Sequence, residues 1–289
     1  YRISFLGDRI VSETLYHSPN GRSVLVFSRG EDEDRIDPGV REKLTSSTTY
    51  LYMAAGYNNP VCNTVLRGIQ SIQVIYQPSD GSVSESYYAA ERDPEIRSMM
   101  EAAMEAADLG IKGFRGTERQ LPFKQVPGLP DRSGRYLELE FIHSHEGADA
   151  DDDMQTFPVG IESNGTVELF TVMGPISRAL KDGGTVVIDE FGSDLHPMLT
   201  RWIVNLFNGR ENDRGAQLIV NTHDIGLMDI DGFLRRDEIW FTDKDRDTGA
   251  SSLSSLSDFN GVKKNSNVLK DYLMGRFDGI PALIGVRKL

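Results

Sequence analysis

The chain has 289 residues, 39% of them apolar and 26% charged, and its 31 Lys and Arg against 44 Asp and Glu leave a formal net charge of −13. This composition excludes a disordered or collagen-like chain and suits one large domain or about two smaller ones. The acidic balance argues against a broadly basic DNA-coating surface, although a local basic groove stays compatible with it.

The single cysteine, Cys62, excludes a disulfide scaffold and a multi-cysteine zinc site. No stretch approaches the roughly 18 apolar residues that span a bilayer, and the charged first residues do not form a signal peptide. A reducing, cytoplasmic compartment without membrane attachment is the simplest expectation. The chain begins at Tyr1 in what already reads as a strand, as the latter part of a longer polypeptide would.

In chain order, residues 1–30 alternate strands and turns, with Asn20-Gly21 between two apolar runs as a hairpin signal. Residues 31–48 are charged and read as a loop leading into a helix. From 50 to 74 the apolar spacing is helical, interrupted at Asn58-Asn59-Pro60. Residues 94–109 form a helix with Pro94 near its start and Ile96, Met99, Met100 and Met104 on one side. That methionine stripe reads as core packing more readily than as an adaptable groove.

Residues 110–134 are rich in Gly, Pro and charge and are expected to be an insertion or loop; 136–142 alternate as a half-buried strand. His143 and His145 precede a run of acids. Two histidines at this spacing fix no coordination geometry, so an exposed acidic loop is preferred to a metal site. The second half alternates helix 167–180, strand 185–188, helix 197–207, strand 216–221, a short helix and strand 238–242, the order of βαβ units in a mostly parallel sheet.

Four features of this half carry chemistry. A short β-branched strand ends in Asp189-Glu190, placing two carboxylates at the carboxyl edge of a sheet. Ser193-Asp194-Leu195-His196 follows and leads through Pro197 into an amphipathic helix. A second buried strand ends in His223. Ser163-Asn164-Gly165 lies directly before helix 167–180, where backbone N–H groups and the helix dipole favour an anion. Asp243 to Gly249 mimics a calcium loop, but its glycine falls one place late and Ser254 stands where a bidentate Glu belongs, so a surface hairpin is expected.

Together and in this order, these features resemble the ATPase heads of the ABC superfamily. The segments ESNGTVELF (162–170), VVIDEFGSDLHPMLTRWIVNLF (186–207), GAQLIVNTHD (215–224), TDKDRDTGASSLSSLSDF (242–259) and YLMGRFDGIPAL (272–283) are similar to the abortive-infection ATPases. These are bacterial phage-defence heads related to the overcoming-lysogenization-defect nucleases and SMC-type ATPases. The similarity is strong from about 157 to 284 and looser before.

The resemblance implies an α/β P-loop NTPase of ABC type, with a mostly parallel C-terminal lobe, an antiparallel N-terminal β part and a helical insertion. Its parts would be 1–84, an antiparallel β/α part; 85–134, the insertion and loop; 135–260, the nucleotide lobe; and 261–289, a tail. ATP and Mg²⁺ are the implied cofactors. Asp189 corresponds to the metal-holding Walker B aspartate and Glu190 to the carboxylate that polarises water. Ser163 and Gly165 stand for the signature turn, Ser193 and Asp194 for the D-loop, and His223 for the switch histidine.

A homodimer or higher homo-oligomer formed through signature-to-nucleotide contacts is implied, with a separate nuclease or toxin effector. There are two departures. No Gly-x4-Gly-Lys-Ser/Thr occurs, so the Walker A loop that the family carries upstream is missing and hydrolysis is implied only with it; and Gly56 stands where the Q-loop glutamine is expected. Two other readings stay open at this point: a nucleotide-dependent scaffold without turnover, and a nuclease or DNA-repair head of SMC type.

Overall fold

The computed structural model describes residues 1–30, 34–76, 80–107, 110–120, 135–144 and 155–280. The chain divides into two units, Tyr1–Gln73 and Val74–Leu289.

In the first unit β1 (Arg2–Leu6), β2 (Arg9–His17) and β3 (Val24–Arg29) form an antiparallel meander. The expected Asn20-Gly21 turn joins β2 to β3, both residues in left-handed conformations that Asn and Gly tolerate best. Three helices follow: α1 (Pro38–Arg41), α2 (Tyr50–Gly56) and α3 (Pro60–Gln70). Their N-caps are Asp37, Thr49 and Asn59, each accepting a backbone N–H of the first turn.

Glu13, fully buried on β2, reaches the start of α2. Its two oxygens accept the N–H groups of Tyr50 at 2.6 Å and Leu51 at 2.8 Å, which offsets the cost of burying the charge. The expected helical spacing through residue 74 is corrected: α3 ends at Gln70 and the chain turns directly into β4 (Ile72–Ile75). The β-branched Ile72, Val74 and Ile75 suit a strand, and four residues are too few for periodicity to decide.

The second unit is built around one long helix. Helix α4 (Asp80–Arg92) and α5 (Pro94–Ala106) pack against α6 (Asn164–Asp182), joined by the sheet β5 (Ile111–Gln120), β6 (Arg135–His143) and β7 (Gln155–Pro158). Met100 and Met104 are fully buried, so the methionine stripe is core. Phe114 of β5 and Phe141 of β6 meet Phe170 of α6 edge-on at 4.9 and 5.2 Å.

Pro175 lies inside α6 and cannot donate to Thr171 O; the Ser86 hydroxyl of α4 donates to that carbonyl instead, at 2.7 Å. Ser86→Ala is therefore expected to leave a buried acceptor without this donor and to cost about 1–3 kcal/mol, read as a lower denaturant midpoint at unchanged slope.

Residues 111–120, expected within a loop, are corrected to strand β5, paired antiparallel with β6 over its whole length. The charges that suggested a loop form cross-strand pairs, Arg115–Glu140 and Arg119–Glu138, both at 2.7 Å.

After α6 come β8 (Thr185–Ile188), α7 (Pro197–Asn208) and β9 (Gln217–Val220). Strands β8 and β9 are parallel, and the sheet order is β4-β8-β9, with β8 central. Then β10 (Trp240–Lys244) and β11 (Ser251–Ser255) form an antiparallel hairpin, followed by α8 (Val268–Leu273). The expectation that 238–242 extends the parallel sheet is thus corrected. The partner of β10 is its own hairpin neighbour, and among the described residues the lobe is mixed rather than mostly parallel.

The hairpin turn is the segment that mimicked a calcium loop. Asp245 Oδ1 accepts the N–H groups of Asp247 and Thr248 and the Thr248 hydroxyl, so that oxygen is engaged by its own turn. No helix among the described residues is long and apolar enough to cross a membrane. His145 with its acidic run, residues 121–134 and the tail from 281 lie outside the described residues.

Candidate functional site

Asp189 directly follows β8. Its N–H donates to Ile75 O of β4 at 2.8 Å, while Asn221, directly after β9, donates its N–H to Ile188 O at 3.0 Å. The strand ends thus stay in register beyond the last sheet residue. Asn221 Nδ2 donates to Asp189 Oδ1 at 2.8 Å, so the parallel neighbour fixes the carboxylate's orientation. Asp189 and Glu190 are both exposed.

Glu190 has φ 54°, a left-handed conformation that costs a non-glycine residue of order 1 kcal/mol and is held only by its surroundings. Those surroundings are visible on its far side. Phe191 is buried, its N–H donates to Asn221 O at 2.9 Å, and its carbonyl accepts the Thr222 hydroxyl at 2.6 Å.

The loop then turns at Gly192, φ 79°, where a Cβ would stand 2.4 Å from Thr200 Cγ2. Thr200, buried in α7, donates to Asp224 Oδ2 at 2.6 Å and so ties the start of α7 to the segment after β9. His196 caps α7, its Nδ1 accepting Met198 N–H at 3.2 Å. Ser193, Asp194 and His223 are exposed.

Ser163 is the N-cap of α6; its Oγ accepts Thr166 N–H at 3.1 Å and lies 2.8 Å from the Thr166 hydroxyl. Gly165 faces the loop after β8 so closely that a Cβ would approach Asp194 O to 2.7 Å. Ser163, Gly165, Asp194 and His196 line one cavity of about 490 Å³, closed on its apolar side by Ala106, Ala107, Leu195, Met198 and Leu199.

The structure therefore brings Ser163 and Gly165 together with Asp194. It places Asp189 beside Asn221, with Glu190 next in the chain.

Three contributors escaped the sequence reading. Asn221 looked like the polar end of a strand. Glu168, one turn past Gly165, is 3% exposed and accepts the N–H groups of Gly192 and Asp194, each at 2.8 Å. Burial pushes its carboxyl above the ordinary glutamate range, against the backbone N–H groups that pull it down. Glu162 pairs with His143 at 2.7 Å, so the histidine considered as a metal ligand has a carboxylate partner next to Ser163. No cluster of three or more metal-ligating side chains exists among the described residues.

The family model described as "AAA domain, putative AbiEii toxin, Type IV TA system" matches residues 6–229, and the chain belongs to this family. No curated protein matches it.

Several solved structures show limited similarity. One is the Smc head domain of Pyrococcus furiosus with an extended coiled coil, bound to the C-terminal domain of ScpA. It is 14% identical, with a TM-score of 0.32 over 56% of this chain and 34% of that one. An SMC ATPase studied for ATP-driven dimerization and DNA-stimulated activation is 13% identical, with a TM-score of 0.36 over 66% and 96%. CbiO1 of Clostridium perfringens, part of the ABC transporter complex cbiONQ, is 16% identical, with a TM-score of 0.28 over 58% and 52%. The chain thus spans about a third of the first of these and about half of the last.

Proposed function

We propose that the protein is an ATP-binding and ATP-hydrolysing head of ABC type that dimerises around nucleotide. Its state would control a separate nuclease or toxin effector in anti-phage, abortive-infection defence, a role in keeping with the toxin–antitoxin description of its family. The observation that carries the reading is the end of β8. Asp189 is exposed at the carboxyl edge of a sheet, oriented by Asn221 of the parallel neighbour, and followed by Glu190 in a left-handed conformation.

Phosphoryl transfer to water needs a metal carboxylate, a group that orients the water, and positive dipoles on the phosphate. Asp189 fits Mg²⁺: it is exposed, and its hydrogen bonds from Asn221 and the Glu190 N–H both fall on Oδ1, not on Oδ2. A lone carboxylate is the usual protein share of a Mg²⁺ site that phosphates and water complete. Bound there, Mg²⁺ would neutralise charge on the phosphates. In this reading Glu190 orients water and His223 faces the γ-phosphate. The Ser163–Gly165 turn, with Ser193 and Asp194 beside it, serves the nucleotide of the second copy. The phosphate-cradling Gly-Lys-Ser/Thr loop would be carried outside these 289 residues.

Single-turnover hydrolysis by the full-length protein separates this reading from a nucleotide-dependent scaffold, which would bind without cleaving. Asp189→Asn is expected to weaken Mg²⁺-dependent ATP binding at least about tenfold and to leave Mg²⁺-free binding unchanged, read by titration with and without the metal.

A further inference from the structure

Glu168 occupies a position where an apolar residue would be the ordinary choice. It lies on α6 beside the fully buried Leu169 and Phe170, and among the described residues no Lys or Arg forms an ion pair with it. A buried carboxylate without a cation is costly unless hydrogen bonds to the charged form compensate. Both oxygens are engaged, and both serve the backbone that follows Asp189 and Glu190: Oε1 accepts Gly192 N–H and Oε2 accepts Asp194 N–H.

The opposite side of Asp194 meets the same helix, because its carbonyl packs against Gly165 with no room for a Cβ. Asp194 is therefore held at its N–H by Glu168 and at its carbonyl by Gly165, one turn apart on α6.

We propose that Glu168 is a positioning residue that locks the 190–194 loop to the first turns of α6, so that the Ser163–Gly165 turn and the Glu190 carboxylate move as one body. This rests on the reading of Asp189 and Glu190 given above. An anion seated on the turn in one copy would then shift the carboxylate that acts in the same copy's own site. Burial raises the proton affinity of Glu168, and the loop N–H groups it accepts work against that rise, so the ionised form is favoured by this geometry and opposed by desolvation.

Glu168→Gln tests it in the full-length protein. The amide keeps the shape but sets an NH₂ against one of the two loop N–H groups. Amide hydrogen exchange at Gly192 and Asp194 is expected to accelerate at least about tenfold. The kcat is expected to fall at least about tenfold while KM for ATP stays within about twofold. Should the Gln variant fail to fold, Glu168→Asp keeps the charge, falls one methylene short, and is expected to give the same pattern to a lesser degree.

Unchanged exchange in a folded variant, or faster loop exchange with kcat retained, overturns the proposal. If the parent protein neither binds nor cleaves ATP, the nucleotide reading fails and exchange decides the lock by itself. Acceleration confined to 190–194 and 163–166 supports the lock, whereas acceleration spread along all of α6 overturns it and marks Glu168 as plain core.

Discussion

Glu190→Gln is expected to lower steady-state ATP turnover at least about a hundredfold while ATP affinity stays within about twofold. The substitution keeps size and hydrogen-bonding reach but removes the negative charge that draws a proton from attacking water. Asp189 and its Asn221 contact are left in place, so metal and nucleotide binding should persist. The left-handed backbone at 190 is as strained for Gln as for Glu, so stability should hardly change. In the proposed reading hydrolysis dissolves the nucleotide-bound pair, so the variant should also hold its ATP-bound dimer longer. Parallel measurement of phosphate release and ATP affinity checks both halves. Turnover at the parental rate would remove Glu190 from the chemistry.

Ser163→Arg has an equally large expected effect, for a different reason. Ser163 is exposed at the start of α6, so an arginine there projects to the outside and blocks close approach of a second copy's nucleotide. Turnover by the variant alone should be abolished. Loss of the cap on Thr166 N–H accounts for only about 1 kcal/mol of stability, which a melting curve separates from loss of the site.

An equal mixture with Glu190→Gln then reads whether sites are shared. Half of randomly assorted dimers are mixed, and each mixed dimer holds one site with an intact Glu190 from one copy and an intact Ser163 from the other. About a quarter of parental activity should return. No recovery once mixed dimers are shown to form would mean that each copy completes its own site.

What could be read from the sequence follows from how local each signal is. Strand β8, helix α7 and strand β9 were legible because Val186 to Ile188, the apolar face from Met198 to Phe207, and Leu218 to Val220 each carry their own period, and Pro197 marks the first helical position. Strand β5 was not legible. Its Arg and Glu residues look solvated until β6 supplies their partners, and Gly116 looks like a loop residue until the Tyr87 ring is seen against it.

Glu168 carried one faint signal, an acid on the same helix face as the buried Thr171 and Val172; its partners Gly192 and Asp194 are more than twenty residues away. The His143–Glu162 pair escaped for the same reason. The candidate residues Asp189, Glu190 and His223 were read as residue types after strands. Asn221 and Glu168, which hold Asp189 and Asp194 in place, became visible only once the chain was folded.

The most direct test of an ATP head whose sites lie between two copies is the mass of the full-length Glu190→Gln protein, by sedimentation with and without Mg²⁺ and ATP. The account predicts a monomer without nucleotide and a doubling of mass with ATP, with two nucleotides retained per dimer. Saturable ATP binding with no change in mass, or no ATP binding at all, would contradict it.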